Sequence, residues 1–540
     1  MSDLKIALAQ INPSIGDIDG NAAKIISEFK KAESQGCDLV VFGELAICGY
    51  KVLDLLQKKY FIAAIKEKIL EILEATKGSK CAILLSAPTY EITRSNSEVL
   101  RNSVLLLEDG AIQNIAHKKT LPNYGVFDEK RYFEGANAVS YFEFRDQTLA
   151  ILICEDLWDK KNLFLLSEQV FDSIISINAS PYNKSKPAQR LAVASNFAKT
   201  LKKPLFYVNL VGAQDELVFD GASMILNQNG EVILKAKEFE EDLIIASTTK
   251  DGKLNPNSPL SAHNLPLNQR NYTACVLGLR DYVAKNGFKK VILGMSGGID
   301  SALVAAIAVD ALGSENVTLY ALPSRFNSQT SMDDAVLCAK NLSVKLEVIS
   351  IEEPFKAMLS TIPNISDLAK ENLQSRIRGN ILMALSNSSG ALLLSTGNKS
   401  EMATGYATLY GDMCGAFNPI KDLYKTEVYE LTKYRNSISE VIPQNIITKA
   451  PTAELRDNQK DSDSLPEYEI LDKILFALIE EEKSVAEIIT LGFEENLVKK
   501  VAKLFYHNEY KRKQSCLGPK ISDKAFDLER RYPITNKFTK

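Results

Sequence analysis

The chain has 540 residues, of which 45% are apolar and 24% charged, with a net charge of −4. That length exceeds one ordinary core and predicts two large domains. Mild acidity argues against nucleic acid as a partner, no apolar run is long enough to span a membrane, and the amino terminus lacks a signal-peptide core. Eight cysteines are scattered without C-x-x-C pairs, which predicts reduced thiols and a cytoplasmic protein. The only histidines are His117, His263 and His507, so a histidine-centred metal or catalytic site is not expected.

Residues 1–250 read as alternating strands and helices. Leu4–Ile11 is a strand pattern, Asp19–Gln35 a helical one ending at Gly36, and Asp38–Glu44 a near-continuous apolar strand. Strands follow at Ala82–Ser86, Ser103–Leu107, Thr148–Cys154, Ser173–Asn178, Leu205–Leu210 and Ser223–Leu226. Asp109-Gly110 and Asn229-Gly230 turn the chain into Ala111–Ala116 and Val232–Leu234, two hairpins that exclude a purely parallel sheet.

Three reactive side chains fall at or just past strand ends: Glu44, Lys118 and Cys154. A thiol needs a base to become a nucleophile, which Glu44 could supply. A nearby ammonium could stabilise a tetrahedral oxyanion. Taken singly, each also fits a buried thiol or a solvated charge, and spacing does not bring them together.

Glu44 in F-G-E-L-x-x-x-G-Y, Lys118 in K-x-x-L-P-N-Y and Cys154 in I-C-E-D-L-W resemble the Glu-Lys-Cys triad of the nitrilase (carbon–nitrogen hydrolase) family. The resemblance covers residues 4–246 and implies an α-β-β-α sandwich. Leu121–Glu129, Asn178–Tyr182 and Val208–Asp215 are most similar to the glutaminase domain of glutamine-dependent NAD⁺ synthetases. That similarity implies that Tyr124, Ser180 and Lys186 hold L-glutamine.

Residues 251–268 are polar and rich in Pro, Asn and Ser, a linker composition. From Gln269 to Lys285 the pattern is helical. The apolar run Val291–Leu293 leads into Gly294-Met295-Ser296-Gly297-Gly298-Ile299-Asp300-Ser301 and then the helical stretch Ala302–Leu312. Paired glycines let backbone N–H groups converge on an anion, and a helix N-terminus adds positive charge. Pyrophosphate suits such a bend, with Asp300 placed to hold Mg²⁺; a capped glycine turn has the same residues. The lysine of a P-loop is missing. Strands at Val317–Leu322, Lys345–Ile351 and Ala391–Thr396 around the helix Glu371–Ser386 predict a doubly wound parallel sheet. Glu401 could supply a second carboxylate to the ion, Lys425 could meet phosphate, and Asn372 and Arg376 share a helix face by their spacing. Residues 456–466 read as a loop able to close over substrate, and 470–511 as amphipathic helices.

The bend resembles the S-G-G-x-D-S loop of ATP pyrophosphatases. Residues 268–533, through Leu322–Arg325, Glu371–Arg378, Ser395–Gly405, Ala450–Leu455 and Glu509–Arg512, resemble the NAD⁺ synthetase domain. The resemblance implies an adenine nucleotide α-hydrolase-like sheet with carboxy-terminal helices. It implies ATP contacts at Gly294–Ser301, Thr396, Lys425 and Thr452, and Mg²⁺ at Asp300 and Glu401. Contacts to deamido-NAD⁺ fall on Asn372, Arg376, Glu401 and Lys511. Leu409 and Ala416 stand where the ammonia-dependent branch has Lys and Asp, so those two contacts are not carried over.

The expectation is therefore a glutaminase domain over 1–250, a linker over 251–268 and a synthetase domain over 269–540. Together they form a ligase, a homo-oligomer in such families, that uses ammonia from L-glutamine and ATP to amidate deamido-NAD⁺. Ammonia loses its nucleophilicity once protonated, so a dry passage between the sites is expected. The rivals are another amidotransferase of the pyrophosphatase class with a different carboxylate acceptor, and a non-catalytic scaffold.

Overall fold

The computed structural model describes residues 3–258, 264–457, 459, 461 and 465–537. His263, part of the expected linker and part of the expected closing loop lie outside the described residues. The chain divides into two compact units, Met1–Leu265 and Pro266–Lys540.

The first unit holds strands β1 (Leu4–Gln10), β2 (Leu39–Phe42), β3 (Ala82–Ile92), β4 (Glu98–Glu108), β5 (Ala111–His117), β6 (Ser140–Phe144), β7 (Gln147–Ile153) and β8 (Ser173–Asn178). It continues with β9 (Leu205–Asn209), β10 (Val211–Gln214), β11 (Leu217–Asp220), β12 (Met224–Leu226), β13 (Val232–Lys235), β14 (Asp242–Thr248) and β15 (Leu254–Pro256). One sheet runs β15-β14-β1-β2-β3-β4-β5 and the other β13-β12-β9-β8-β7-β6, with β10 and β11 as a separate ribbon. Side chains from both sheets, among them Leu8, Val41, Leu84, Ile151, Ile177 and Val208, form one core. The outer face of the first sheet packs on the helices Ile18–Ser34 and Lys59–Ala75; that of the second packs on Lys160–Ser167 and Lys186–Leu201. This is an α-β-β-α sandwich, and β2, β7 and β8 run nearly all-buried because both their faces are covered.

Several boundaries differ from the sequence reading. β2 stops at Phe42 and β7 at Ile153, so Glu44 and Cys154 lie just beyond their strands. The hairpins β6–β7 and β10–β11 and the strand β14 carry no strong turn dipeptide and were not anticipated. Part of the expected linker is β15, which pairs with β14 from Leu254 to Pro256.

In the second unit β16 (Val291–Gly294), β17 (Val317–Ala321), β18 (Lys345–Val348) and β19 (Leu392–Leu394) form an all-parallel sheet ordered β18-β17-β16-β19. The order reverses between β16 and β19, which makes the crevice beyond their carboxyl ends the topological switch point. The helices Tyr468–Ile479, Val485–Thr490 and Glu495–His507 bury their apolar faces with Met402 and Ala403. No described helix is long and apolar enough to cross a membrane.

Candidate functional site

In the first unit the carboxyl ends of β2, β5 and β7 deliver Glu44, Lys118 and Cys154. Lys118 Nζ donates to Glu44 Oε1 at 2.6 Å and to Glu129 Oε1 at 2.8 Å, and its side chain is 0% exposed. Glu44 also accepts from Asn102 Nδ2 at 2.8 Å and from the Ala179 N–H at 3.2 Å. Tyr50 donates to Glu129 at 2.9 Å. Burial alone would lower the Lys118 pKa, but Glu129 and Glu44 outweigh it and hold the ammonium charged. Burial pushes Glu129 up to about 7 against the pull of Lys118. The Cys154 thiol is raised well above its usual range, first by burial and then by Glu44, with Lys118 opposing. All three expected residues thus share one electrostatic site.

Cys154 occupies a sharp strand-to-helix turn with φ 46° and ψ −94°, directly before the short helix Glu155–Trp158. A non-glycine residue held there costs about 1–3 kcal/mol and keeps the thiol at the helix start. Asp156 ties this turn to the Lys118 loop by accepting from the N–H groups of Thr120 at 2.7 Å and Ile153 at 3.1 Å.

Of the glutamine-binding candidates, Tyr124 is 54% exposed and its hydroxyl donates to Glu155 at 2.9 Å. Lys186 Nζ lies 3.8 Å from the Trp158 ring centroid, and its charge acts on Glu155. Ser180 is buried; its N–H donates to Asn209 Oδ1 at 2.8 Å and its hydroxyl lies beside Tyr207. Tyr124, by a hydrogen bond, and Lys186, by its charge, therefore both act on Glu155.

In the second unit β16 ends in the glycine bend. Gly297 has φ +77°, and an added Cβ would come within 2.1 Å of the Ser331 carbonyl oxygen, so only glycine fits. The following helix, Ile299–Leu312, begins at Gly298 without a side-chain cap, leaving its dipole facing the crevice. Within the bend, Ser296 Oγ accepts from the Gly298 N–H at 3.2 Å and Ser301 Oγ donates to the Gly298 carbonyl at 3.0 Å.

Asp300 accepts from Asn398 Nδ2 at 3.0 Å and pairs with Lys425. Glu401 Oε1 lies 3.7 Å from Lys425 Nζ, and its other oxygen accepts from the Asn398 N–H at 3.2 Å in a capping box. Burial and Asp300 push Glu401 up to about 8 against the pull of Lys425. A cavity of about 460 Å³ opens here, lined by Gly294, Met295, Ser296, Asp300, Ser301, Asn372, Thr396, Glu401, Thr452 and Lys511. Gly297, Gly298, Ile299 and Lys425 are not part of that lining. Arg376 is exposed and donates to the Leu409 carbonyl at 3.2 Å, while Arg378 of the same helix lines the cavity. Lys511 Nζ donates to the carbonyls of Gly405 at 2.7 Å and Ala407 at 2.8 Å.

The sequence reading gives no role to Glu129, Asn102 and Glu155, and places Arg378 only within the matched stretch Glu371–Arg378. Glu129 closes the stretch Leu121–Glu129 and Glu155 follows the nucleophile, so both stood within matched motifs. Asn102 lies mid-strand in β4, 58 residues from Glu44, and carried no local signal.

Comparison with known proteins gives a carbon–nitrogen hydrolase model matching residues 5–251 and an NAD synthase model matching residues 271–515. The glutamine-dependent NAD(+) synthetase of Acinetobacter baylyi is 42% identical, with 99% of each chain covered. That of Synechocystis sp. is 43% identical over 99% of each. The solved glutamine-dependent NAD+ synthetase of Acinetobacter baumannii, in complex with ADP, aligns with a TM-score of 0.79 at 42% identity, with 99% of each chain covered. The fold also matches that of the Cytophaga hutchinsonii enzyme, with a TM-score of 0.85 at 22% identity.

Proposed function

The chain belongs to the glutamine-dependent NAD(+) synthetases, and on that premise we propose how its two units divide the chemistry: residues 1–250 release ammonia from L-glutamine, and residues 269–540 use it to amidate deamido-NAD⁺ at the expense of ATP. What carries the reading is the pairing, in one chain, of a buried thiol, carboxylate and ammonium with a glycine bend flanked by two carboxylates.

Tyr124, Ser180 and Lys186, with Glu155, hold the glutamine. Glu44 takes the thiol proton as Cys154 Sγ attacks the side-chain amide carbon, and Lys118 faces the oxyanion. Collapse of the tetrahedral adduct breaks the C–N bond, and Glu44 returns the proton to the leaving ammonia. Water, deprotonated by Glu44, then attacks the thioester and frees glutamate and the thiol.

In the second unit the bend Gly294–Ser301, with Thr396 and Thr452, binds ATP. Asn372, Arg376, Glu401 and Lys511 orient deamido-NAD⁺. Asp300 and Glu401 present hard oxygens beside a phosphate bend, a donor set that fits Mg²⁺ completed by water and phosphate oxygens. Bound there, Mg²⁺ supplies charge neutralisation to the polyphosphate. The nicotinate carboxylate attacks the α-phosphorus, pyrophosphate leaves, and Lys425 turns from Asp300 toward the phosphates. Ammonia displaces AMP from the acyl-adenylate to give NAD⁺. The eight free thiols suit the reducing cytoplasm, and the protein works there as a homo-oligomer.

The test supplies ATP, deamido-NAD⁺ and L-glutamine. The expected result is NAD⁺, AMP, pyrophosphate and glutamate, with AMP and pyrophosphate equal to NAD⁺. ADP as the nucleotide product, or AMP formation that ignores deamido-NAD⁺ and follows another carboxylate, overturns the reading.

A further inference from the structure

Outside the lining of the second unit's cavity lies a buried ionic cluster. Lys399 is fully buried; its Nζ donates to Glu480 Oε1 at 2.6 Å, Ser522 Oγ at 2.6 Å and the Lys524 carbonyl at 2.8 Å, and lies 2.9 Å from Asp422 Oδ1. Asp422 in turn accepts from the N–H groups of Ile521 at 2.8 Å and Ser522 at 2.7 Å, and from Ser522 Oγ at 2.8 Å. The carboxy-terminal segment around Ser522 is thereby pinned to two sequence positions more than 90 residues upstream.

Those two positions are special. Lys399 begins the helix Lys399–Thr404, which carries Glu401, and Asp422 lies three residues before Lys425, which opens the helix Lys425–Ile438. The two starts are also joined directly: the Lys399 N–H donates to the Leu423 carbonyl at 2.8 Å, and the Lys425 N–H to Ser400 Oγ at 2.9 Å. Ser400 Oγ donates onward to Asp472, which also accepts from the Thr426 N–H at 2.9 Å. A fully satisfied buried network of this kind has one arrangement and resists small displacements.

We propose that Lys399, Asp422 and Ser522 are positioning residues that register Glu401 against Lys425, and so set the geometry in which the polyphosphate and its ion are held. The proposal rests on the roles assigned above to Glu401 and Lys425. It gives the carboxy-terminal segment around Ser522, which is not part of the cavity lining, a part in holding the ion.

The test uses the full-length protein and ammonia-driven synthesis, with Mg²⁺ and ATP titrated separately. Ser522→Ala removes two hydrogen bonds without leaving a charge behind, and Asp422→Asn loosens the same junction independently. Each is expected to raise the half-saturating Mg²⁺ concentration about 10-fold, with kcat within about twofold and glutamine hydrolysis unchanged. Ser522→Thr, which keeps the hydroxyl, restores the wild-type curve. Glu401→Gln is the control. If it titrates as wild type, the assignment of the site itself fails. If it is impaired while Ser522→Ala and Asp422→Asn both titrate as wild type, or if Ser522→Thr is as impaired as Ser522→Ala, the positioning role is overturned.

Discussion

Replacing Lys118 by methionine keeps the side chain's bulk and removes one buried charge. Two carboxylates, Glu44 and Glu129, then lose the cation that lies 2.6 and 2.8 Å away. Breaking such a buried pair costs about 3–5 kcal/mol, because a charge is left uncompensated. A second contribution depends on pH. Glu129 sits at about 7 with Lys118 pulling it down, against about 4.3 in an unfolded chain. Between those values the folded state binds the extra proton, so stability falls as pH rises, in wild type and variant alike. Above about pH 7 the wild-type Glu129 is ionised and its contribution is flat. Without Lys118, burial keeps Glu129 protonated to higher pH, and the deficit grows by about 1.4 kcal/mol for each further pH unit. The assay is urea unfolding of the full chain followed by fluorescence of Trp158, the single tryptophan, which lies in this unit beside Lys186. The expected result is a destabilised transition whose gap from wild type widens as the pH is raised above about 7, by up to about 1.4 kcal/mol per pH unit. A gap that stays constant over that range refutes the electrostatic reasoning.

Three further outcomes follow from the geometry. Because burial and Glu44 hold the Cys154 thiol high, its alkylation by iodoacetamide without substrate should accelerate steadily with rising pH; a plateau already reached by about pH 7 would reveal a preformed thiolate. Tyr124→Phe removes the hydroxyl that meets Glu155 and should raise KM for glutamine about 10-fold at nearly constant kcat, measured as glutamate release; a fall in kcat alone would place Tyr124 in the chemistry instead. Gly297→Ala drives a Cβ into the Ser331 carbonyl at a positive φ and should reduce ammonia-driven synthesis by at least about 100-fold while glutamine hydrolysis persists; retained synthesis would show that the bend does not carry the phosphates.

Much of this site could be read from the chain alone, because its parts sit where strands end. Glu44, Cys154 and the Gly294–Ser301 bend each follow an apolar run by a residue or two, the clearest signal a sequence offers, and Lys118 follows the hairpin strand that Asp109-Gly110 announces. What could not be read depends on tertiary pairing. Asn102 reaches Glu44 only because β3 and β4 pair in register beside β2. β14 pairs with β1 across some 240 residues, from Leu4 with Thr248 onward, and no local pattern announces such a partner. Arg376 shows the limit of spacing arguments. It shares a stripe with Asn372, but the cavity face of that helix runs through Asn372, Ser375 and Gly379, which leaves Arg376 about 100° from Ser375. Its charge nonetheless reaches Lys511.

The central claim is that nitrogen freed at the Cys154 thiol is consumed at the Asp300 bend of the same chain. It is tested most directly by measuring NAD⁺ formation from glutamine and from added ammonium in Cys154→Ala and Asp300→Ala side by side. Cys154→Ala should lose glutamine-driven synthesis and keep the ammonia-driven rate, whereas Asp300→Ala should lose both. If Cys154→Ala abolished both, or Asp300→Ala spared either, the division of labour described here would be contradicted.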